Sequence, residues 1–251
     1  MSSLAALARD FARALDRTGI MVAADMAPDP WQAELLNSDA DRHLVMCSRQ
    51  AGKSTTVAAL ALNQAFYDPG LVLLIAPAQR QSVELFRKVR EIYGQQADAP
   101  KIVGESAMRL ELDNGSRIIA LPGTEATIRG YSAPKLIVID EASRVEDALF
   151  TGVRPMLATN QGRMIALTTP YGRRGWFFEC WSHGDGWERT RITAHDCPRI
   201  SADWLANERR MMGEWQFKQE YGCEFVDTEE QFFSGELIEA ALRDTGGPLW
   251  I

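Results

Sequence analysis

The sequence predicts an α/β fold with a mostly parallel central sheet that is flanked by helices. Short apolar runs of strand length alternate along the chain with segments whose apolar residues recur at helical spacing, which is typical of this fold class. Two of the runs, residues 71–75 and 136–139, are uninterrupted and aliphatic, as expected of parallel strands covered on both faces. A chain of 251 residues has room for one large domain and a small appendage.

The first predicted strand, residues 43–46, leads into a loop and then into a helix that begins near Lys53. The sequence of residues 47–55, Cys-Ser-Arg-Gln-Ala-Gly-Lys-Ser-Thr, is typical of a phosphate-binding loop, in which backbone N–H groups and a helix N-terminus surround a phosphate. Lys53 would neutralise phosphate charge, and the Ser54 hydroxyl would reach Mg2+. The usual pattern has glycine at the position of Cys47, so a chance match is the alternative. The candidate nucleotide-binding residues of this loop are Arg49, Gln50, Ala51, Gly52, Lys53, Ser54 and Thr55.

The segments after the second strand continue the alternation. Residues 79–93 predict a helix, because their apolar positions follow helical spacing. Asn114-Gly115 lies between two segments of alternating polarity, residues 108–112 and 116–121, and this pair of residues is a strong hairpin signal. We therefore expect an antiparallel pair of strands at one edge of the sheet.

The buried strand at residues 136–139 ends in two carboxylates, Asp140 and Glu141. Ligands of a parallel sheet bind at the carboxyl ends of its strands. Asp140 would hold Mg2+, and Glu141 would orient and deprotonate the water that attacks the γ-phosphate. The alternative is that both acids only cap the following helix. Because a further strand separates this strand from the phosphate loop in sequence, the two are not expected to be neighbours in the sheet.

A later strand also has a polar end. Residues 164–167 are followed by Thr168 and Thr169, whose hydroxyls would emerge beside the carboxylates, and capping of the next turn is the alternative. Residues 187–193 predict an edge strand, and residues 201–221 predict a helix. The expected packing positions of that helix are Trp204, Leu205, Met211 and Met212. A preceding aromatic cluster, expected to face the core rather than nucleic acid, comprises Trp176, Phe177, Phe178 and Trp181.

Composition narrows the class of protein. No apolar run approaches the roughly 20 residues that span a bilayer, and the net charge of -7 opposes non-specific attraction to nucleic acid. The four cysteines and three histidines show no metal-ligand spacing, so reduced thiols in a cytoplasmic protein are expected rather than a zinc site or disulfide framework. An N-terminal packing helix is predicted from Leu4, Leu7, Phe11 and Leu15.

Four motifs, taken together, resemble those of a known family. They are Arg-Gln-Ala-Gly-Lys-Ser-Thr at 49–55, Ile-Arg-Gly-Tyr-Ser at 128–132, Leu-Ile-Val-Ile-Asp-Glu-Ala-Ser at 136–143 and Thr-Thr-Pro-Tyr-Gly at 168–172. In order and spacing they resemble the N-terminal packaging ATPase of the large terminase subunit of tailed double-stranded DNA bacteriophages, over nearly the whole chain. The resemblance implies a P-loop NTPase fold of the ASCE, RecA-like type with a small C-terminal lid subdomain. That family's phosphate loop also lacks the first glycine.

The resemblance implies roles for two arginines. Arg49 resembles the phosphate-loop arginine that contacts the γ-phosphate within the same subunit, and solvation of the loop is the alternative. Arg129 resembles the arginine that is offered to the nucleotide of a neighbouring subunit, and a surface ion pair is the alternative. The candidate catalytic residues are thus Glu141, Lys53, Arg49 and Arg129, and the candidate metal ligands are Ser54 and Asp140.

Two further elements gain roles from the same resemblance. Gln32 resembles part of an adenine-recognition element, since a carboxamide can donate and accept hydrogen bonds at once. The neighbouring Trp31 would either support the base or pack in the core, and the core is the more common place for such a residue. Thr168 and Thr169 resemble the motif that couples loss of the γ-phosphate to movement of a subdomain.

The implied organisation is an ATPase core at residues 1–195, a lid subdomain at 196–230 and a linker at 231–251, leading to a nuclease domain beyond Ile251. No nuclease activity is therefore expected of this chain. The implied function is ATP- and Mg2+-dependent translocation of double-stranded DNA into a viral procapsid. The implied partners are DNA, a pentameric ring of copies that are monomers when alone, a portal protein and a small terminase subunit, without a membrane. The implied location is the cytoplasm of the infected bacterium, at the procapsid.

Two alternatives from other classes stay open. A helicase-like or remodelling ATPase shares the adenine element and the acidic strand end, but no second motor core follows Gly175. A non-catalytic, nucleotide-gated adaptor would need no water-activating acid, and the presence of Glu141 argues against it.

Overall fold

The computed structural model describes residues 11–12, 15–128 and 130–226. Within these residues the chain forms one eight-stranded sheet in the order β3-β4-β5-β2-β6-β7-β1-β8. Strands β5, β2, β6, β7, β1 and β8 are parallel, whereas β3 and β4 are antiparallel to their neighbours. The strands are β1 (Arg42–Cys47), β2 (Leu71–Ala76), β3 (Ile102–Ser106), β4 (Arg109–Leu112), β5 (Arg117–Pro122), β6 (Leu136–Asp140), β7 (Arg163–Thr168) and β8 (Glu188–Ile192).

Helices lie on both faces of this sheet. They are α1 (Gly19–Val22), α2 (Pro30–Asn37), α3 (Lys53–Tyr67), α4 (Gln79–Tyr93), α5 (Glu125–Ile128), α6 (Asp147–Val153), α7 (Gly175–Ser182), α8 (Ala202–Met212) and α9 (Glu214–Glu220). Short 3-10 turns occupy Ala142–Arg144, Arg154–Leu157 and Ala194–Asp196. The predicted α/β class with a mostly parallel sheet is confirmed.

Two apolar cores result from the alternation of side chains along the central strands. On β6, Leu136 and Val138 face one core and Ile137 and Ile139 face the other. The first core is closed by α1 to α4, and the second by α6 and α7. Burial of each aliphatic side chain stabilises the fold by roughly 1.5–3 kcal/mol, and a strand with apolar residues at every position is therefore fixed between two helical layers.

The order of the strands determines which polar ends meet. Strand β7 lies between β1 and β6, with Met46 opposite Thr168 and Asp140 opposite Leu167. The predictions that the phosphate loop and the carboxylate strand are not sheet neighbours, and that the threonines emerge beside the carboxylates, are confirmed. The predicted hairpin around Asn114 is also confirmed, because β4 and β5 pair antiparallel there.

The predicted helix at residues 201–221 is wrong in two respects. It is broken at Gly213, whose positive φ of 81° separates α8 from α9. Trp204 and Met211, predicted to pack, are exposed, whereas Leu205 is buried. The helical spacing predicts a single continuous helix, and the break changes the faces that the two halves present.

The predicted N-terminal packing helix is only partly covered by the described residues. Phe11 and Leu15 are exposed rather than packed, and Leu4 and Leu7 lie outside the described residues. The aromatic cluster behaves as expected at its centre, since Trp176 and Phe177 are buried in the second core. In the described part of the chain no helix is long and apolar enough to cross a membrane.

Helices α8 and α9 form a third, smaller apolar cluster with the 3-10 turn that precedes them. Its buried members are Ala194, Leu205, Phe217 and Tyr221. The end of α9 is joined to the turn by a hydrogen bond from Ala194 N to Tyr221 O, 2.9 Å. The division into a core at 1–195, a lid at 196–230 and a linker at 231–251 stays a prediction, and the linker lies outside the described residues.

We predict that His43 makes the stability of the fold depend on pH. Its ring is buried on β1, with Nε2 2.7 Å from Thr190 Oγ1. Burial, together with the charge of Arg163, lowers the pKa of His43 below its ordinary 6.5, although Glu188 opposes this shift. The unfolded chain therefore binds more protons than the folded chain just below pH 6.5, and the free energy of unfolding should fall as pH decreases through that window.

Urea unfolding between pH 5 and pH 8 would measure this effect. His43→Gln should flatten the pH dependence, and His183→Gln, at an exposed position on the protein surface, should leave it as in the wild type. An unchanged slope in the His43 variant would contradict the assignment.

Candidate nucleotide-binding and catalytic site

The loop between β1 and α3 turns sharply because two of its residues have left-handed backbones. Gln50 has φ 61° and Gly52 has φ 96°. The positive φ favours glycine at position 52, and a Cβ atom there would also lie 2.9 Å from Gln32 Nε2 and 3.2 Å from Arg199 Nη2, so both side-chain ends would have to shift. The turn lets α3 begin at Lys53 with its N-terminus open to a ligand.

The loop forms one wall of a cavity of about 610 Å³ at the carboxyl ends of the strands. The cavity brings together residues from the phosphate loop, the end of β6 and the end of β7. It is lined by Arg49, Gln50, Ala51, Gly52, Lys53, Ser54, Thr55, Gln81, Glu141, Arg144 and Thr169. The phosphate-loop candidates, Glu141 and Thr169 were all expected at one site from the sequence, whereas Gln81 and Arg144 were not.

Lys53 links the walls of the cavity. Its Nζ donates to Ser48 O at 3.2 Å and to Thr169 Oγ1 at 3.1 Å, and it lies 3.8 Å from Glu141 Oε1. Its side chain is only 10% exposed. Burial alone would lower the pKa of Lys53, but the surrounding acidic groups, among them Glu141 and Asp140, outweigh burial and raise it. The ammonium group therefore stays charged inside the cavity wall.

The two carboxylates at the end of β6 lie in different environments. Asp140 is buried, and its Oδ1 accepts a hydrogen bond from Glu141 N at 3.0 Å. Burial raises the pKa of Asp140 to about 6, the neighbouring Glu141 adds to the rise, and Lys53 opposes it. Glu141 is partly exposed and lines the cavity. Its left-handed backbone, φ 50°, is unusual for a side chain of this type and is a form of strain that clusters at functional sites.

Thr168 and Thr169 connect β7 to both neighbouring loops. Thr168 Oγ1 accepts from Ser143 N at 3.2 Å and donates to Thr169 O at 2.8 Å. Thr169 Oγ1 accepts from Lys53. The two hydroxyls therefore join the carboxylate loop and the phosphate loop through hydrogen bonds, which is more than the local turn capping that was the alternative.

The side chain of Arg49 forms an ion pair with Glu220 at the end of α9. A second contact joins the same residues, because Arg49 N donates to Glu220 O at 3.1 Å. The Arg49 side chain is 59% exposed, whereas that of Glu220 is 7% exposed. The arginine that the sequence suggested for the γ-phosphate is thus held by a carboxylate that sequence reasoning did not identify.

A second cavity, of about 350 Å³, also borders the phosphate loop. It is lined by Met21, Met26, Ala27, Gln32, Gln50, Gly52, Thr55 and Arg199. The Gln32 carboxamide is fixed in orientation, since its Oε1 accepts from Asp29 N and its Nε2 donates to Thr56 Oγ1, each at 2.8 Å. Trp31 is buried in the first core, in agreement with the packing alternative.

Three polar residues of the two cavities were missed because they are distant in sequence or carry no motif. Arg199 donates to Ala51 O at 3.0 Å and pairs with Asp29 at 2.7 Å. Gln81 is the third residue of α4, and Arg144 closes the turn after Glu141. Of these, only Arg144 had a sequence signal, namely its position beside the acidic strand end. Arg129 lies outside the described residues.

A family model described as "Terminase large subunit, T4likevirus-type, N-terminal" matches residues 44–240, which is more than three quarters of the chain. The chain belongs to the terminase large subunit family. The terminase large subunit of Thermus virus P23-45 is 25% identical over an alignment of 247 residues. The alignment covers 83% of this chain and 50% of that protein. The chain thus spans about half the length of the curated relatives that it matches.

Solved terminase structures share the fold. The large terminase ATPase domain of Thermus phage P74-26 superposes with a TM-score of 0.72 at 22% identity, covering 82% of this chain and 97% of that domain. A large terminase from a thermophilic bacteriophage, solved in complex with ATP-gamma-S, gives a TM-score of 0.61 at 13% identity and covers 79% of this chain and 53% of that protein. The fold of this terminase chain is therefore that of terminase ATPase domains.

We predict that Arg49→Ala lowers the free energy of unfolding by about 1–2 kcal/mol. The change leaves the buried Glu220 carboxylate without its ionic partner, which costs roughly 1–3 kcal/mol, and solvent around the exposed guanidinium reduces the loss. Urea unfolding would measure it. Arg209→Ala, which breaks an ion pair between two exposed partners on α8 and α9, is the matched control and should leave the midpoint nearly unchanged. Equal losses of unfolding free energy in the two variants would show that burial of Glu220 does not make its ion pair more important for stability.

Proposed function

We propose that this chain is the ATP-hydrolysing motor domain of a terminase, and that it moves double-stranded DNA into a procapsid. One observation carries the chemical part of the proposal. A single cavity at the carboxyl ends of parallel strands is lined by the phosphate-loop lysine Lys53 and by the acid Glu141, 3.8 Å apart. Membership of the terminase large subunit family supports the assignment of this chemistry to DNA packaging.

The phosphate loop would bind the triphosphate of ATP. Backbone N–H groups at the start of α3 and the Lys53 ammonium group supply positive potential there. The base would occupy the second cavity, where Gln32 offers a fixed carboxamide beside the apolar side chains of Met21 and Met26. The likeness in fold to a large terminase solved with ATP-gamma-S supports a nucleotide as the ligand.

Mg2+ would bind at the same cavity, between Ser54 in its lining and Asp140, which is buried and not part of the lining. Ser54 lines it with a hydroxyl, and the buried carboxyl of Asp140, with its raised pKa, would be stabilised in its charged form by a nearby cation. The described residues contain no group of three or more His, Cys, Asp or Glu side chains that could hold a metal ion without a ligand. The proposed Mg2+ would therefore depend on the nucleotide for its remaining ligands. A cation held by Ser54, Asp140 and phosphate oxygens is typical of Mg2+. When bound, Mg2+ would neutralise charge that develops on the phosphates.

Glu141 would orient and deprotonate the attacking water. It lines the cavity and is partly exposed, so that solvent can reach its carboxylate. The left-handed backbone at Glu141 starts the turn that directs the chain away from β6. Lys53 lies beside it and would hold the phosphates within reach of that water.

Arg49 and Arg129 would stabilise the transferred phosphate. Arg49 lines the cavity, and a γ-phosphate there would compete with Glu220 for its guanidinium. Arg129 would act on the nucleotide of a neighbouring subunit in a ring. Thr168 and Thr169 would relay loss of the phosphate, because they connect Lys53 to the turn after Glu141.

The proposed assembly, partners and location of the domain rest on its membership of the terminase large subunit family. The domain would act as a ring, a pentamer, on double-stranded DNA, with a portal protein and a small terminase subunit, in the cytoplasm of the infected bacterium at the procapsid. Residues 196–230 would act as the lid. An adaptor without catalysis predicts nucleotide binding and no phosphate release even when the ring is assembled on DNA, and this outcome would replace the proposal.

We predict that Glu141→Gln lowers ATP turnover by about 10²–10⁴-fold, the usual range for loss of a general base. Nucleotide affinity should stay within a few-fold of wild type, because the phosphate loop is unchanged. Phosphate release would be measured with Mg2+ at increasing protein concentration, with and without linear duplex DNA. Turnover that rises more steeply than protein concentration would support a ring.

Glu179→Gln is the matched control, since Glu179 is an exposed carboxylate on α7, and it should keep wild-type turnover. Full activity of the Glu141 variant would remove Glu141 from the mechanism.

We predict that Arg129→Ala retains ATP binding and loses assembly-dependent turnover by about 10³–10⁵-fold, the range for an arginine supplied in trans. Mixing this variant with Glu141→Gln should restore part of the activity, because an intact Glu141 then lies beside a subunit that carries Arg129. Phosphate release from mixtures of defined ratio would test this. If no mixture exceeds the sum of its components, Arg129 does not act in trans.

A further inference from the structure

Arg144 lines the main cavity but has no part in the mechanism above. It is the last residue of the turn Ala142–Arg144, and its backbone N donates to Glu141 O at 2.8 Å. Its guanidinium carbon lies 4.2 Å from the centre of the Tyr171 ring. Arg144 is therefore positioned by its own turn on one side and by an aromatic face on the other.

Among the described residues, the acids around the cavity are paired with cations other than Arg144. Arg49 is paired with Glu220, and Lys53 lies beside Glu141. No carboxylate in the described part of the chain lies within ion-pair distance of Arg144. An anion that enters the cavity could therefore accept hydrogen bonds from the Arg144 guanidinium without first breaking an ion pair.

The contacts of Arg144 also tie it to the end of β7. Its neighbour Ser143 donates through its backbone N to Thr168 Oγ1 at 3.2 Å, and Tyr171 lies three residues after Thr168. The Tyr171 ring is partly exposed, and a cation stacked on such a ring is attracted only weakly. The stack therefore orients the planar guanidinium without holding it as strongly as a phosphate would.

We propose that Arg144 binds the terminal phosphate of ATP from the β6–β7 side of the cavity, and that Tyr171 positions its guanidinium for that contact. This inference rests on the proposed ATPase function and adds a residue that distinguishes ATP from ADP. Arg144 approaches from the chain segment that follows Glu141, whereas Lys53 and Arg49 belong to the phosphate loop. A nucleotide without the terminal phosphate leaves Arg144 stacked on Tyr171.

The test compares affinities for ATP-gamma-S and ADP, measured by displacement of a fluorescent nucleotide from the whole chain in the presence of Mg2+. Arg144→Ala should weaken binding of ATP-gamma-S by about 10–100-fold, the range for losing hydrogen bonds to a charged group. Binding of ADP should change less than about two-fold, because its phosphates are held by the unchanged loop. Arg144→Lys keeps the charge but loses the planar fork, and should give a smaller loss for ATP-gamma-S alone.

Variants of Tyr171 separate positioning from folding. Tyr171→Phe keeps the ring face and should bind ATP-gamma-S as wild type does. Tyr171→Leu removes the ring face and should weaken ATP-gamma-S but not ADP. Arg154→Ala is the matched control, since Arg154 is an exposed arginine that also lies over an aromatic ring, that of Phe150, away from the main cavity, and it should change neither affinity.

Equal losses for both nucleotides in Arg144→Ala and Arg144→Lys would make the role of Arg144 structural and overturn the inference. Unchanged affinities in both variants would also overturn it. Failure of the proposed function itself has a different signature, because the wild type would then bind neither nucleotide or would release no phosphate from ATP under any condition.

Discussion

The candidate site depends on the contacts of the ammonium group of Lys53, whose side chain is only partly exposed. It reaches the phosphate loop through Ser48 O, the end of β7 through Thr169, and the end of β6 through Glu141. These three segments leave the sheet side by side, because β7 separates β1 from β6. The opposed charges of Lys53 and the two acids offset part of the cost of burying each. The strand order thus places these opposite charges together at one edge of the sheet.

Sequence reasoning predicted the parts of the fold that depend on local pattern. Helix α4 has its bounds at Gln79 and Tyr93, as expected from its apolar spacing, and the aliphatic run of β6 could only be satisfied between two apolar layers. It also predicted which segments supply the main cavity, because the carboxyl ends of parallel strands meet at one edge. The roles of the individual residues stay proposals.

The rest could not be predicted because it depends on contacts between distant parts of the chain. Nothing near Glu220 or Arg199 indicates that they lie against the phosphate loop, 171 and 148 residues away from their partners Arg49 and Ala51. The break at Gly213 was missed because the residues on both sides of it have helical spacing, and only the left-handed glycine divides them. Trp204 and Met211, which the single helix would have packed, are exposed.

Strand β8 has a consequence for how copies of the chain can associate. Among the described residues it is the last strand of the sheet and is mostly exposed, and it carries Glu188, Arg189 and Arg191. Addition of a strand from another molecule would have to dehydrate these charged groups and displace Arg189 from the carbonyls of Trp181 and Cys180. Pairing of β8 with a strand of another molecule is thereby disfavoured. Copies that associate on this side of the molecule would do so through side-chain surfaces, which can separate and re-form without unravelling any strand.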